Sequence, residues 1–384
     1  SSAVNLVNQL INKAIEVRAT DIHLEPQRDD MRVRYRIDGM LYEIINIPLN
    51  FSLSVISRLK ILVEMDITER RLFQDGRMST TIAGQDYHMR VATLPTKMGE
   101  KMVIRILTES NLVKGLEELG LDAGEQRLFR RILARPHGMI LVTGPIGSGK
   151  TTTLYAALNE LDFRSRNIVT IEDPVEYQLK GINQVEVDLK IGVSFPTGLR
   201  AILRQDADIL MIGEIRDTET GRVAVRAALS GQQIFSTLHT VDSPSAINTL
   251  MNFDIPPFLI ASSMNGVIAQ RLVRKICPAC KVSYIPDPAL LRQLGLSETG
   301  REYLFYMGKG CERCYQTGFS GRIGIFEILW VSDRIRKLIV HRADEERIKE
   351  IAIQEEMRVL KLSGINKIVE GVTTPEEVMR EIYL

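Results

Sequence analysis

Residues 140–158, ILVTGPIGSGKTTTLYAAL, run from an apolar strand-like stretch through a glycine-studded loop into a helix former. Gly144-Pro145-Ile146-Gly147-Ser148-Gly149-Lys150-Thr151 fits G-x-x-x-x-G-K-[ST] in full, and Thr152 follows it. Glycines there let backbone N–H groups turn inward around a β-phosphate, and the helix start adds the positive end of its dipole. Lys150 is suited to bridge β and γ oxygens, and Thr151 to offer a hydroxyl to Mg2+. A strand before and a helix after are the context this loop requires. Residues Gly144 to Thr152 are therefore expected to cradle a nucleotide.

The chain around this loop has 384 residues, 45% apolar and 25% charged, ordinary for globular protein. At roughly 100–200 residues per domain, two or three domains are expected. Lys plus Arg total 49 against 48 Asp plus Glu. That balance lacks the basic excess usual for a nucleic-acid partner. The stretch from Ile255 to Ala269 is broken by prolines, polar residues and glycine, and falls short of the ~20 apolar residues of a bilayer helix. The chain opens Ser-Ser without Met, so it reads as a trimmed piece, and any domain ahead of Ser1 is invisible in this sequence. Four cysteines in two CxxC pairs suit a reducing cytosol better than a secreted scaffold.

Three regions differ in texture. Residues 1–108 read as α+β. Val4, Val7, Ile11, Ala14 and Ile15 recur at helical spacing, and SLSVISRLKILVEM reads as a second helix. In MRVRYRIDGMLYEI, Val33, Tyr35 and Ile37 alternate with Arg32, Arg34 and Arg36, and Asp38-Gly39 signals a hairpin turn. TTIAGQDYHMRVATL predicts another hairpin near Gly84, and KMVIRILTE a further strand. Residues 109–120 read as a linker. From 121 to 271, the runs GMILVTG, NIVTIED, DILMIGE and QQIFSTLH alternate with helical stretches, which predicts parallel strands with crossover helices. Residues 272–326 hold the cysteines. Residues 327–384 read as helical, with Thr374 as N-cap, Pro375 at N1 and Glu377 at N3 of a last helix.

Acids complete the expected chemistry. DADILMIGEIRD ends an apolar strand in Gly213-Glu214, where a carboxylate would orient and deprotonate attacking water. IEDPVE adds Glu172, Asp173 and Glu176 at another strand end, for the magnesium shell or the water; alone, Asp-Pro is also an ordinary turn. STLHT ends a fourth strand in His239, a candidate γ-phosphate sensor, because ligands gather at carboxyl ends of strands in open α/β sheets. No acceptor pocket or lid suggests a small-molecule kinase. A guanine-reading N-K-x-D is missing, since Asn366-Lys367-Ile368-Val369 lacks the Asp. An ATPase motor is the remaining reading, against a nucleic-acid translocase or an ATP-gated scaffold.

GPIGSGKTTTLYAAL, IEDPVE, LRQDADILMIGEIRD, STLHT and IAQRLVRKICPAC, in this order, resemble the secretion ATPase superfamily: type II secretion and type IV pilus assembly ATPases. ATDIHLEP, RVRYRIDG and QDGR resemble the same family's second N-terminal domain. The likeness runs from about Ile15 to Met379. It implies a RecA-like P-loop core, a PAS-like first domain and a cytoplasmic homohexameric ring that hydrolyses ATP to drive pseudopilus assembly in type II secretion, or type IV pilus extension. It implies docking on an inner-membrane platform and its cytoplasmic-domain proteins, partly through the further N-terminal domain. Without that domain, a monomeric fragment with slow turnover is expected. Arg90 and Arg105 of the first domain, with Arg200 and Arg216, occupy the family's active-site arginine positions; on spacing alone each would read as a solvated residue. Two departures are Ala207, where the family has Pro, and Gln232, where it has His.

Cys277-Pro-Ala-Cys280 and Cys311-Glu-Arg-Cys314 read as two knuckles for one structural zinc ion, with no open position for catalysis. The spacer DPALLRQLGLSETG predicts a helical insertion between them. Free thiols or disulfides are the bland alternatives. The family's tetracysteine subdomain points to zinc, and pilus retraction ATPases generally lack it.

Overall fold

The structure is a computed structural model that describes residues 2–108, 115–296 and 302–382. The chain divides into two compact units, Ser1–Leu112 and Val113–Leu384.

The first unit begins with α1 (Ser2–Glu16), followed by β1 (Ala19–Pro26), β2 (Asp30–Ile37), β3 (Met40–Pro48), α2 (Leu49–Leu62), β4 (Gln74–Ile82), β5 (Gln85–Thr96) and β6 (Gly99–Thr108). The six strands form one antiparallel sheet in the order β3-β2-β1-β6-β5-β4. Both predicted hairpins form, with positive φ at both turn residues: Asp38 and Gly39 at 49° and 88°, Ala83 and Gly84 at 53° and 79°; Asp and Gly tolerate this readily, whereas Ala83 is carried by its hairpin. Two central residues with φ > 0 make the type I′ turn that matches strand twist. Alternation then sorts the faces. Val33 and Tyr35 of β2 are fully buried in one core with Val7, Ile11 and Ala14 of α1 and Val55 and Leu59 of α2. The Tyr35 hydroxyl donates to the Leu10 carbonyl at 2.6 Å.

The opposite face carries the arginines of β2. Glu25 of β1 is buried among them. It accepts from Arg34 through both oxygens at 2.9 Å and from Arg32 at 3.1 Å, and Lys101 lies at 3.3 Å. Burial pushes its carboxyl up, but the Arg34 and Lys101 bonds prevail and hold it at about 2.

The second unit contains α3 (Ala123–Leu133), β7 (Gly138–Thr143), α4 (Lys150–Asn159), β8 (Ile168–Glu172), β9 (Asn183–Glu186), α5 (Phe195–Ile202), β10 (Ile209–Ile212), α6 (Thr218–Leu229), β11 (Gln233–Leu238), α7 (Ser243–Asn252), α8 (Pro257–Ser263) and β12 (Met264–Ile276). It continues through β13 (Lys281–Tyr284), α9 (Pro288–Leu294), β14 (Phe305–Gly308), β15 (Phe319–Trp330), α10 (Asp333–Val340), α11 (Glu345–Gln354), α12 (Leu360–Val369) and α13 (Pro375–Glu381). Seven strands form a sheet in the order β15-β12-β7-β11-β10-β8-β9. All are parallel except β15, which runs antiparallel to β12. Every residue of β7, β8, β10 and β11 is buried, as expected where helices cover both faces of a parallel sheet.

This sheet does not stop at residue 271. β12 runs on to Ile276, and β15 returns from beyond the cysteines to pair with it from Gly266↔Trp330 to Ile276↔Phe319. β13 and β14 form a separate two-stranded ribbon. The predicted spacer helix is α9; the end of that stretch lies outside the described residues. The last helix starts as read, with the Thr374 side chain accepting from the Glu377 amide.

The Glu25 cluster yields a prediction. A carboxyl whose pKa falls on folding contributes stability that is complete above its ordinary value of 4.5 and is lost as pH falls through about 2. E25Q should lower the opening free energy of β1 and β2 amides by about 2 kcal/mol at pH 7, with the deficit shrinking below pH 4. Hydrogen exchange at several pH values measures it, and equal protection in both proteins at pH 7 would refute it.

Candidate functional site

β7, β11, β10 and β8 end side by side, so parallel pairing gathers the loops that leave them at one edge of the sheet. The loop after β7 is the glycine-rich one. Gly144 has φ 153°, and a Cβ there would meet the Gln270 carbonyl at 2.5 Å and the Ser148 hydroxyl at 2.6 Å. Gly149, at φ 85°, caps α4 and would meet the Gln270 amide nitrogen at 2.9 Å. Only glycine fits either position. Pro145, Ile146 and Gly147 lie exposed on the loop's outer turn, and Thr151 and Thr152 occupy the first turn of α4.

Lys150 lies over this loop. Its Nζ donates to the carbonyls of Gly144 at 2.9 Å and Pro145 at 3.0 Å, and stands 3.4 Å from Nδ1 of His239. Burial, aided by the charge of Arg271 and opposed by that of Glu214, lowers its pKa to about 8. His239, just after β11, places its Nε2 3.2 Å from Oε2 of Glu214. One neutral tautomer serves both contacts: Nε2–H donates to the carboxylate while Nδ1 accepts from the ammonium. The other Glu214 oxygen pairs with Arg216. Burial pushes the Glu214 carboxyl up, and the Arg216 and His239 bonds bring it below its ordinary value. Asp173 also raises the pKa of Arg216. The expected lysine, carboxylate, histidine and one arginine thus form a continuous chain of contacts.

Other expected residues fall elsewhere. Glu172 ends β8 but is buried, accepting from the Tyr155 and Thr170 hydroxyls and from the Gln184 amide at 3.2 Å. Burial raises its pKa, with those bonds opposing. Asp173 is exposed and Glu176 half-buried. Arg200, on α5, is exposed and pairs with Glu219 of α6. Arg90 and Arg105 belong to the first unit, on β5 and β6. Gln232 precedes β11, at the end of the sheet opposite His239, and Ala207 is buried before β10.

Gln270 of β12 had no role assigned from sequence. Its buried side chain accepts from Thr153 at 2.6 Å and donates to the Ser148 carbonyl at 2.7 Å, pinning both ends of the loop–helix junction. Arg271 donates to the carbonyls of Gln270 at 2.9 Å and Val241 at 2.6 Å. Thr143 and Thr240 join through their hydroxyls at 2.6 Å. Each pair is more than 90 residues apart in sequence except Gln270–Arg271 and Arg271–Val241, beyond the reach of a local motif. The Ser148 hydroxyl is buried without a hydrogen-bond partner among the described residues. With the Cβ-free cradle beside it, the loop fits a polyphosphate.

The four cysteines converge. All four Sγ atoms lie within 4.8 Å of one another, with Cys277–Cys311 at 3.9 Å, Cys280–Cys314 at 3.8 Å and Cys311–Cys314 at 3.7 Å. These separations exclude disulfides. Four thiolates about 2.3 Å from a central zinc in tetrahedral array stand about 3.8 Å apart, so the set fits that ion. The amides of Cys311 and Gly318 each donate to Cys314 Sγ at 3.2 Å. These amides, with the sulfurs of Cys311 and Cys280, lower the pKa of its thiol although burial pushes it up.

The family described as Type II/IV secretion system protein matches residues 1–380. The chain is 45% identical over 379 residues to the type IV pilus assembly ATPase PilB of Myxococcus xanthus, covering 98% of this chain and 67% of that protein. It is 44% identical to the type II secretion system protein E of Pseudomonas aeruginosa, covering 98% and 75%. Among solved structures it is similar to the pilus retraction motor PilT with bound ADP, at 25% identity and a TM-score of 0.65 over 98% of this chain and 96% of that one. The Legionella pneumophila ATPase DotB shares the fold, with a TM-score of 0.71, 17% identity and coverage of 98% and 94%. Together with the contacts joining Lys150, His239 and Glu214, these likenesses assign the chain: it belongs to the type II/IV secretion system protein family and is an ATPase.

Proposed function

We propose that this chain is the cytoplasmic ATPase motor of a type II secretion system, working as a homohexamer at an inner-membrane platform. The observation that carries the reading is the contact chain from Lys150 through His239 to Glu214. Lys150 and the loop of residues 144–152, through the backbone N–H groups it has apart from Pro145, bind the β and γ phosphates. Glu214, kept ionised by Arg216 and His239, orients and deprotonates the attacking water. His239, touching both, senses the γ-phosphate. Thr151, the exposed Asp173 and the half-buried Glu176 would hold Mg2+, which draws charge off the phosphate oxygens when bound. Glu172, committed to Tyr155, Thr170 and Gln184, instead fixes the end of β8. Arg90 and Arg105 of the first unit, with Arg200 and Arg216, neutralise charge building on the γ-phosphoryl group.

The second unit is a RecA-like core (from 121) followed by a tetracysteine segment (272–326) and a helical end (327–384). The first (1–108) is PAS-like, a reading supported by its antiparallel sheet with helices on one face. Residues 109–120 act as the linker. Zinc across the four thiolates is structural. Type IV pilus extension is the second reading, favoured by the 45% identity to PilB of Myxococcus xanthus. Nucleic acid is not a partner in either. Copurification with a secretion or a pilus platform protein separates them.

E214Q should bind ATP normally and stop turning over; retained turnover would exclude Glu214 as base. R90A or R105A should lower kcat by about 10³-fold. If these arginines act across a subunit interface, mixing R90A chains with E214Q chains restores turnover that neither has alone, and no recovery refutes the trans arrangement. Elemental analysis should find one zinc per chain, lost in C280S. A folded, zinc-free wild type would refute the metal site.

A further inference from the structure

Arg271 follows Gln270 on β12 and is only 7% exposed. Its Nη1 donates to the Gln270 carbonyl at 2.9 Å and its Nη2 to the Val241 carbonyl at 2.6 Å. Nη1 also lies beside the first glycine of the loop, since a Cβ built on Gly144 would meet it at 3.2 Å. The guanidinium thus reaches from β12, past the glycine loop, to the segment after β11 that carries His239. Both of its partners are neutral carbonyls. Burial works against its charge, and three carboxylates, Glu381, Glu327 and Asp242, favour it from farther off. Each of them is engaged elsewhere. Glu327 accepts from the Ser243 amide and hydroxyl and from the Leu360 amide. Asp242 caps α7 and pairs with Lys349 at 3.0 Å, and Glu381 pairs with Arg380 at 3.2 Å. Among the described residues no carboxylate forms an ion pair with Arg271. Lys150 adds charge of the same sign at the loop, and Glu214 is already shared by Arg216 and His239.

A cation taken out of water without a counter-ion costs stability, and an anion that arrives beside it recovers that loss. The Ser148 hydroxyl on the same loop is a second polar group that the described residues leave unmatched. We propose that Arg271 is a positioning residue of the nucleotide site, whose buried charge is matched by the polyphosphate of ATP and whose fork fixes the His239 segment against β12. The proposal rests on the reading that the loop of residues 144–152 binds the nucleotide's phosphates. The two halves of the role separate chemically. The charge acts through a partly dry site, so it strengthens the binding of an anion without touching it. The fork bonds two carbonyls at once from one rigid plane, which a lysine ammonium does not reproduce.

The test compares R271Q, R271K and K150A with wild type in the full chain, measuring the Kd of ATPγS and kcat with ATP. R271Q keeps an amide donor and loses the charge, and it should weaken ATPγS binding about tenfold or more. R271K keeps the charge and loses the fork. It should bind ATPγS within about threefold of wild type and turn over about tenfold more slowly. Wild-type ATPγS affinity in R271Q, while K150A loses it, overturns the role of Arg271 and leaves the loop reading standing. Equal losses of affinity in R271Q and R271K also overturn it, because they assign Arg271 to packing alone. An unchanged kcat in R271K, or a loss of ATPγS affinity there of tenfold or more, does the same whether or not R271Q folds. Wild-type ATPγS affinity in K150A sinks the loop reading, and this proposal with it.

Discussion

The buried amide of Gln270 reaches from β12 to the helix end of the glycine loop, accepting from Thr153 of α4 and donating to the Ser148 carbonyl. A loop made pliable by three glycines has high conformational entropy in isolation. Tying its helix end to a strand with both faces covered selects one shape from that ensemble. The absence of a Cβ at Gly149 is what lets the amide approach so closely. The position of Lys150, and hence its contact with His239, depends on this tether.

Electrostatics then give the edge its character. Lys150 rests on two carbonyls in a partly dry site, which weakens its hold on a proton; phosphate oxygens would reverse that preference. Glu214 is kept charged by Arg216 and His239 against its burial. Lys150 and Glu214, the two groups proposed to act on one phosphoryl transfer, are joined through one imidazole. Preorganised charge of this kind needs little rearrangement at the reacting moment.

Much of this was legible in local sequence. Asp38-Gly39 and Gly84 mark their turns, the alternation around Tyr35 specifies a face, and the glycine loop carries its own conformational demands. What stayed hidden depends on pairing between distant segments. Residues 264–276 are buried on both faces for most of their length, so they lack the alternation that marks a strand, and their partner β15 lies beyond the cysteines. Glu172 looked like a neighbour of Asp173 and Glu176, whereas its hydrogen-bond partners are Tyr155, Thr170 and Gln184.

The cysteines stand where β12 ends and shortly before β15 begins. Between Ile276 and Phe319 lie 42 residues, a long excursion for two strands that must pair along their whole length. With an ion across the four thiolates, the excursion becomes a side branch, and the two strands meet through a connection of a few residues. Shortening a closed loop to that extent saves about 2 kcal/mol of chain entropy. The strand so secured is the one that carries Gln270. Closed in that way, the cysteine cluster would act as ballast for the Gln270 tether, and its opening would be felt first as fraying of the β12–β15 pair.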